Sequence, residues 1–132
     1  MSGEPWIAYD FAVLRAVPHP HLGRWIPVGV VLHARTAEFL GMRSLEGEAL
    51  RRRVPELDPE RLERYLGSLR AVCEGLERAG PLALDPTSER FHWMTAPRSD
   101  VLQPSAVHGG VTRDPAATLQ RLFVCHVVAG DG

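Results

Sequence analysis

Asp10 and His33 are the residues whose types and setting could share a proton in this 132-residue chain. Residues 6–17 alternate as a strand does, residues 25–34 form a second strand rich in valine and isoleucine, and the prolines and glycine of "PHPHLG" (18–23) make the turn between them. With that turn centred near residue 20 or 21, Ile7, Tyr9, Phe11 and Val13 share a core face with Ile26, Val28, Val30 and Leu32. The opposite face then holds Ala8, Asp10 and Ala12 beside Gly29, Val31 and His33, with Trp6 and Trp25 towards its two ends. Small residues between two indoles, with an acid and an imidazole in diagonal reach, read as a shallow recognition groove. In it Asp10 would orient His33 as a base or hydrogen-bond donor. Trp6, Asp10, Trp25, Gly29 and His33 are its candidate binding residues. The competing reading is a sheet face covered by a helix or a second subunit, with Asp10 paired to an arginine.

Other chemistry-bearing residues point to less. His19 and His21 lie in the turn, and His33, His92, His108 and His126 are scattered, without the converging spacing a zinc ion needs. No metal site and no cofactor is expected. Arg51, Arg52, Arg53, Arg61 and Arg64 could face a phosphate, but acids sit four residues before arginines at Glu48–Arg52, Glu60–Arg64 and Glu74–Arg78. That pattern reads as a charge-balanced helix surface. Gly109 and Gly110 precede a helix start, where a loop with unusual backbone angles accounts for them as well as an anion site does. Cys73 and Cys125 lie among apolar neighbours and read as buried thiols.

The elements that position these residues follow from the remaining pattern. "EFLGMR" (38–43) continues the hairpin into a three-stranded meander. Ser44 is placed to cap a short helix through "LEGEALRRR", which Val54 ends ahead of Pro55. Asp58–Pro59 starts a second helix, and the stripe Leu62, Tyr65, Leu66, Leu69, Val72, Cys73 and Leu76 carries it towards Gly80–Pro81. "RFHWMTA" (90–96) alternates as a strand, with Phe91 and Trp93 on one face. "VLQPSAVHGG" (101–110) reads as a short strand or an extended loop. Asp114–Pro115 opens a last helix with Leu119, Leu122, Phe123 and His126 on one side. The sum is one α+β domain over residues 1–132: a mainly antiparallel sheet, one or two later strands added to the meander, with two or three helices packed on one face.

Composition narrows the function classes. A formal net charge of −1 gives no general attraction to nucleic acid or an anionic membrane. All 15 basic residues are arginine, so neither a P-loop lysine nor a Schiff-base lysine is available. The start "MSGEPWIAYD" lacks the basic-then-apolar pattern of a signal peptide, and no run is long enough to span a bilayer. A cytoplasmic protein is expected.

"YDFAVLRAVPHPHLGRWIPVGVVLHA" and "APRSDVLQPSAVHGGVTRDPAATLQRLF" together resemble a bacterial family catalogued as domain of unknown function 3037. The resemblance spans nearly the whole chain, and its motifs are structural rather than catalytic. The family tends to place asparagine before the "VGVVL" segment, where this chain has Pro27. The resemblance implies a small cytoplasmic bacterial protein whose genes often stand beside HipA-like kinases. Such a kinase is therefore an implied partner, with a homodimer as the other form of association. The expectation is a non-enzymatic protein-interaction module, the alternative a small hydrolase or nuclease-like enzyme using Asp10 and His33.

Overall fold

The computed structural model describes residues 5–97 and 101–129. β1 (Ile7–Ala16), β2 (Ile26–Ala34) and β3 (Phe39–Ser44) form the expected meander, and β4 (Leu102–Pro104) and β5 (His108–Thr112) join it. β1 is central: β2 pairs along one side of it, while β4 pairs with Leu14–Ala16 and β5 with Ile7–Phe11 on the other, all antiparallel. Between β4 and β5 the hydroxyl of Ser105 accepts from Val13 N at 2.9 Å, and Ser105 N donates to Val13 O at 2.8 Å. No backbone group of β1 is thus orphaned where the two short strands meet.

The hairpin register is the expected one as far as the pair Leu14–Gly29, and then shifts by one residue at Arg15–Pro27. The extra residue is Val28, a bulge beside the one proline of β2, whose missing N–H makes a regular ladder there impossible. The bulge has a consequence for packing: Val28 and Ile26 join Ala12, Leu14 and Val31 rather than Val30 and Leu32.

Both faces of the sheet are covered. On one, Ala12, Leu14, Ala16, Val28 and Val31 pack against α1 (Gly47–Arg53), α2 (Pro59–Cys73) and α3 (Thr87–Met94) through Leu50, Leu62, Leu66, Leu69, Phe91 and Met94. On the other, Phe11, Val13, Val30 and Leu32 lie under Leu119 of α4 (Pro115–Phe123) and Val127 of the π-helical turn Val124–Val128 that follows it. Three helices share one face as expected, and the fourth closes the other. No helix among the described residues is long and apolar enough to cross a membrane.

Four local expectations are corrected. Within 90–96, residues 90–94 belong to α3 and the rest to the turn after it, with no strand, because Phe91 and Met94 are buried three residues apart while His92 and Trp93 are exposed. Ser44 ends β3 instead of capping α1; its hydroxyl is held by the Arg70 guanidinium, and α1 starts after Glu46. α2 stops at Cys73, well before Gly80, because Gly75 at φ 70 lets Gly75 N reach Val72 O at 3.1 Å and Leu76 N reach Ala71 O at 3.0 Å. Cys125 is exposed, whereas Cys73 is buried and its thiol is pushed up to about 12 by burial.

Candidate functional site

The expected groove face is half covered. Asp10 and His33 lie directly opposite each other on β1 and β2, Ala12 opposite Val31, and Leu14 opposite Gly29. His33, 6 % exposed, lies beneath α3, its ring stacked on Phe91 at 5.3 Å. Ala12, Gly29 and Val31 are buried as well, under the helical layer. Asp10 is exposed, beyond the edge of that layer. The competing reading of the sequence, a face covered by a helix, therefore describes the Gly29–His33 half.

His33 has a structural partner. Its Nε2 lies 3.0 Å from Thr87 Oγ1, in the first turn of α3, and not on the Asp10 carboxylate. Burial lowers its pKa; the Asp10 carboxylate opposes that shift, and Arg35 and Arg90 add to it. At neutral pH the ring is therefore uncharged, suited to a hydrogen bond that fixes α3 on the sheet. The sign of the linkage follows. A histidine whose folded pKa lies below its ordinary 6.5 costs no stability above that pH, and progressively more as pH falls towards the folded value, because the unfolded chain binds the proton first. The urea midpoint is expected to fall between about pH 7 and pH 5, and His33→Gln, which can still bond Thr87, is expected to flatten that part of the profile. Equal slopes for the two proteins would assign the acid sensitivity to other groups.

Beside Thr87 opens a cleft of about 510 Å³ between the turn that follows β2 and the start of α3, lined by Arg35, Glu38, Thr87, Ser88 and Arg90. Arg90 is committed to the fold: its Nη1 donates to Val72 O and Cys73 O at 3.0 Å each, and its Nε to Asp85 O at 2.9 Å. Glu38 takes φ 50, a left-handed conformation that closes the tight β2–β3 turn.

The tryptophans do not frame one groove. Trp6 stands just before β1 and Trp25 just before β2, at opposite ends of a strand ten residues long, about 30 Å apart. Each is faced by an arginine. Arg113 lies 4.5 Å from the Trp6 ring, and Arg15 lies 3.5 Å from the Trp25 ring while donating to the carbonyls of Gln103 and Pro104 at 3.4 and 3.0 Å. Trp25 is thereby tied to β4. His19 precedes the turn Pro20–Leu22 and His21 lies within it, their rings 6.0 Å apart, and among the described residues no group of three or more histidines, cysteines or carboxylates could hold a metal.

What remains uncovered is the other half of the face, extended by a strand. Ala8 pairs with Val111 and Asp10 with Gly109, and the same register sets Trp6 opposite Arg113. Trp6 is 61 % and Val111 63 % exposed. Among the described residues no strand pairs with the outer edge of β5. The result is a flat shelf with an indole, a valine and small residues on its face and free backbone groups along its rim. Sequence reasoning named Trp6 and Asp10 but missed Val111 and Arg113, because residues 101–110 read as strand or loop and gave no register to β5. The signal available was the alternation Val111, Gly109, Val107 across from Ala8 and Asp10.

Comparison with curated proteins and with solved structures finds no match. The family model described as protein of unknown function DUF3037 matches residues 11–127, from the middle of β1 to the turn after α4, and the chain belongs to that family.

Proposed function

We propose that the protein is an interaction module that docks a protein partner on the shelf formed by Trp6, Ala8 and Val111 and along the free edge of β5. The observation that carries this reading is the juxtaposition of Trp6 and Val111, each more than half exposed, on one flat sheet face. Monomeric surfaces seldom leave a tryptophan and a branched aliphatic residue side by side, and tryptophan and arginine are the residues that interfaces favour. The edge adds main-chain hydrogen bonding, since an extended segment of the partner can pair with β5 as a further strand. His33 supports the same reading, because its ring is occupied in holding α3 rather than aimed at a substrate.

The family's gene setting makes a HipA-like kinase the first partner to test, with a second copy of this chain as the alternative occupant. In titrations of the purified protein with a HipA-like kinase of its own host, Trp6→Ala is expected to weaken binding roughly 30-fold, the loss of a hot spot of about 2 kcal/mol. Val111→Asp should abolish it. Light scattering on the protein alone separates the second-copy case. Variants that keep their circular dichroism and bind unchanged would overturn the shelf as the docking surface.

A further inference from the structure

The helical layer carries a second feature, on the side of α2 turned away from the sheet. A cleft of about 510 Å³ opens between α2, the turn that holds Arg78, and α3, lined by Arg64, Gly67, Ser68, Ala71, Arg78 and Trp93 among others, with no carboxylate among the described residues of its wall. A smaller cleft of about 320 Å³ adjoins it, sharing Arg64 and Ser68 and adding Arg61 and Tyr65.

Three observations make this more than surface relief. Of the three ion pairs that the sequence offers at four-residue spacing, Glu48–Arg52 closes at 3.5 Å, but Arg64 and Arg78 form no ion pair or hydrogen bond among the described residues. Two guanidinium groups that close no ion pair among the described residues thus border one cleft. Gly67 lies in the interior of α2, where glycine weakens a helix, yet nothing stands within 4 Å of where its Cβ would be. Packing does not require that glycine, and what its absence of a side chain provides is open space in the cleft. Trp93, 38 % exposed, adds an aromatic plane to the same wall.

We propose that this cleft binds a small phosphorylated ligand with a planar ring, of the mononucleotide class. The phosphate lies between Arg64 and Arg78, which offer forked donors to its oxygens, Ser68 adds a hydroxyl, and the base stacks on Trp93. A cleft of this volume falls in the range of small-molecule sites. The site is remote in sequence from Trp6 and Val111 and stands independently of the docking shelf.

Calorimetric titration of the intact protein with nucleoside monophosphates tests it, with the matching nucleosides, inorganic phosphate and a short single-stranded oligonucleotide as separate arms. Saturable binding of at least one monophosphate is expected, weakened about tenfold or more without its phosphate or without its base. Arg64→Gln with Arg78→Gln is expected to remove binding, and Trp93→Ala to weaken it about tenfold, with Trp93→Phe recovering most of the loss. Gly67→Leu is the decisive variant: it should fill the cleft and abolish binding while raising the melting temperature, an outcome that misfolding cannot produce. Trp6→Ala should leave the titration unchanged, so failure here and failure of the docking shelf remain distinct. No saturable binding of any monophosphate, binding that survives the double arginine variant, or tighter binding of the oligonucleotide than of every monophosphate would each overturn the proposal.

Discussion

Arg90→Met is expected to lower the unfolding free energy by about 3–4 kcal/mol, a fall of melting temperature on the order of 10–15 °C for a chain of this size. The reason lies at the end of α2. A helix leaves its last carbonyls without intrahelical partners, and those of Val72 and Cys73 face the interior between α2 and α3. The Arg90 guanidinium takes both and adds the carbonyl of Asp85 before α3, so one positive fork closes the C-terminus of one helix and the approach to the next. Methionine keeps much of the aliphatic stem and removes every donor, leaving those carbonyls to water or to nothing. Arg90→Lys should recover only part of the loss, since an ammonium cannot reproduce the planar fork. Urea denaturation with an unchanged m-value measures the effect, and a loss under about 1 kcal/mol for Arg90→Met would show that water replaces the guanidinium freely.

Gly29→Ala is expected to cost about 2–3 kcal/mol, and Gly29→Val to prevent accumulation of folded protein. Gly29 is buried where the β2 bulge begins, and a Cβ there would lie 2.9 Å from the backbone carbonyl oxygen of Arg43 and 3.1 Å from the Cβ of Ser44. Neither atom can swing aside as the end of a long side chain could, and Leu14 closes the third side at 3.4 Å. The strand would have to move as a whole, against the β3 pairing. Thermal melts of the purified alanine variant provide the check, and an unshifted melt would mean that β3 can retreat without loss. The smallness that made Gly29 look like the floor of a groove is thus a demand of the sheet's own backbone.

These two residues show where the sequence could be read and where it could not. The register of the hairpin was legible because its apolar residues alternate on both strands, and a slip of one residue would invert the second. That reasoning set Asp10 near His33, as the structure has it. It could not say whether that face was covered, because the covering helix α3 hides in "RFHWM", where five residues fit an alternation as well as a helical turn. Asp85–Pro86 ahead of it resembles the Asp–Pro pairs that start α2 and α4, and was the available hint. Arg90 was equally out of reach, because its role depends on where α2 ends, and that is decided by Gly75 rather than by the apolar stripe. Exposed features were the least legible: periodicity records what is buried, so Val111 and the Arg64–Arg78 cleft left no mark in it.

α4 and the turn after it bear on how the chain comes into being. Phe11, Val13, Val30 and Leu32 leave the ribosome well before Leu119 and Val127, which cover them and lie far downstream in the sequence. β1 likewise waits for β4 and β5 on its second side. During synthesis the nascent meander therefore carries a sticky apolar sheet with an open flank, while the other face can already receive α1–α3. For as long as that lasts, this uncovered face is the aggregation-prone part of the growing chain, and its burial is timed by α4.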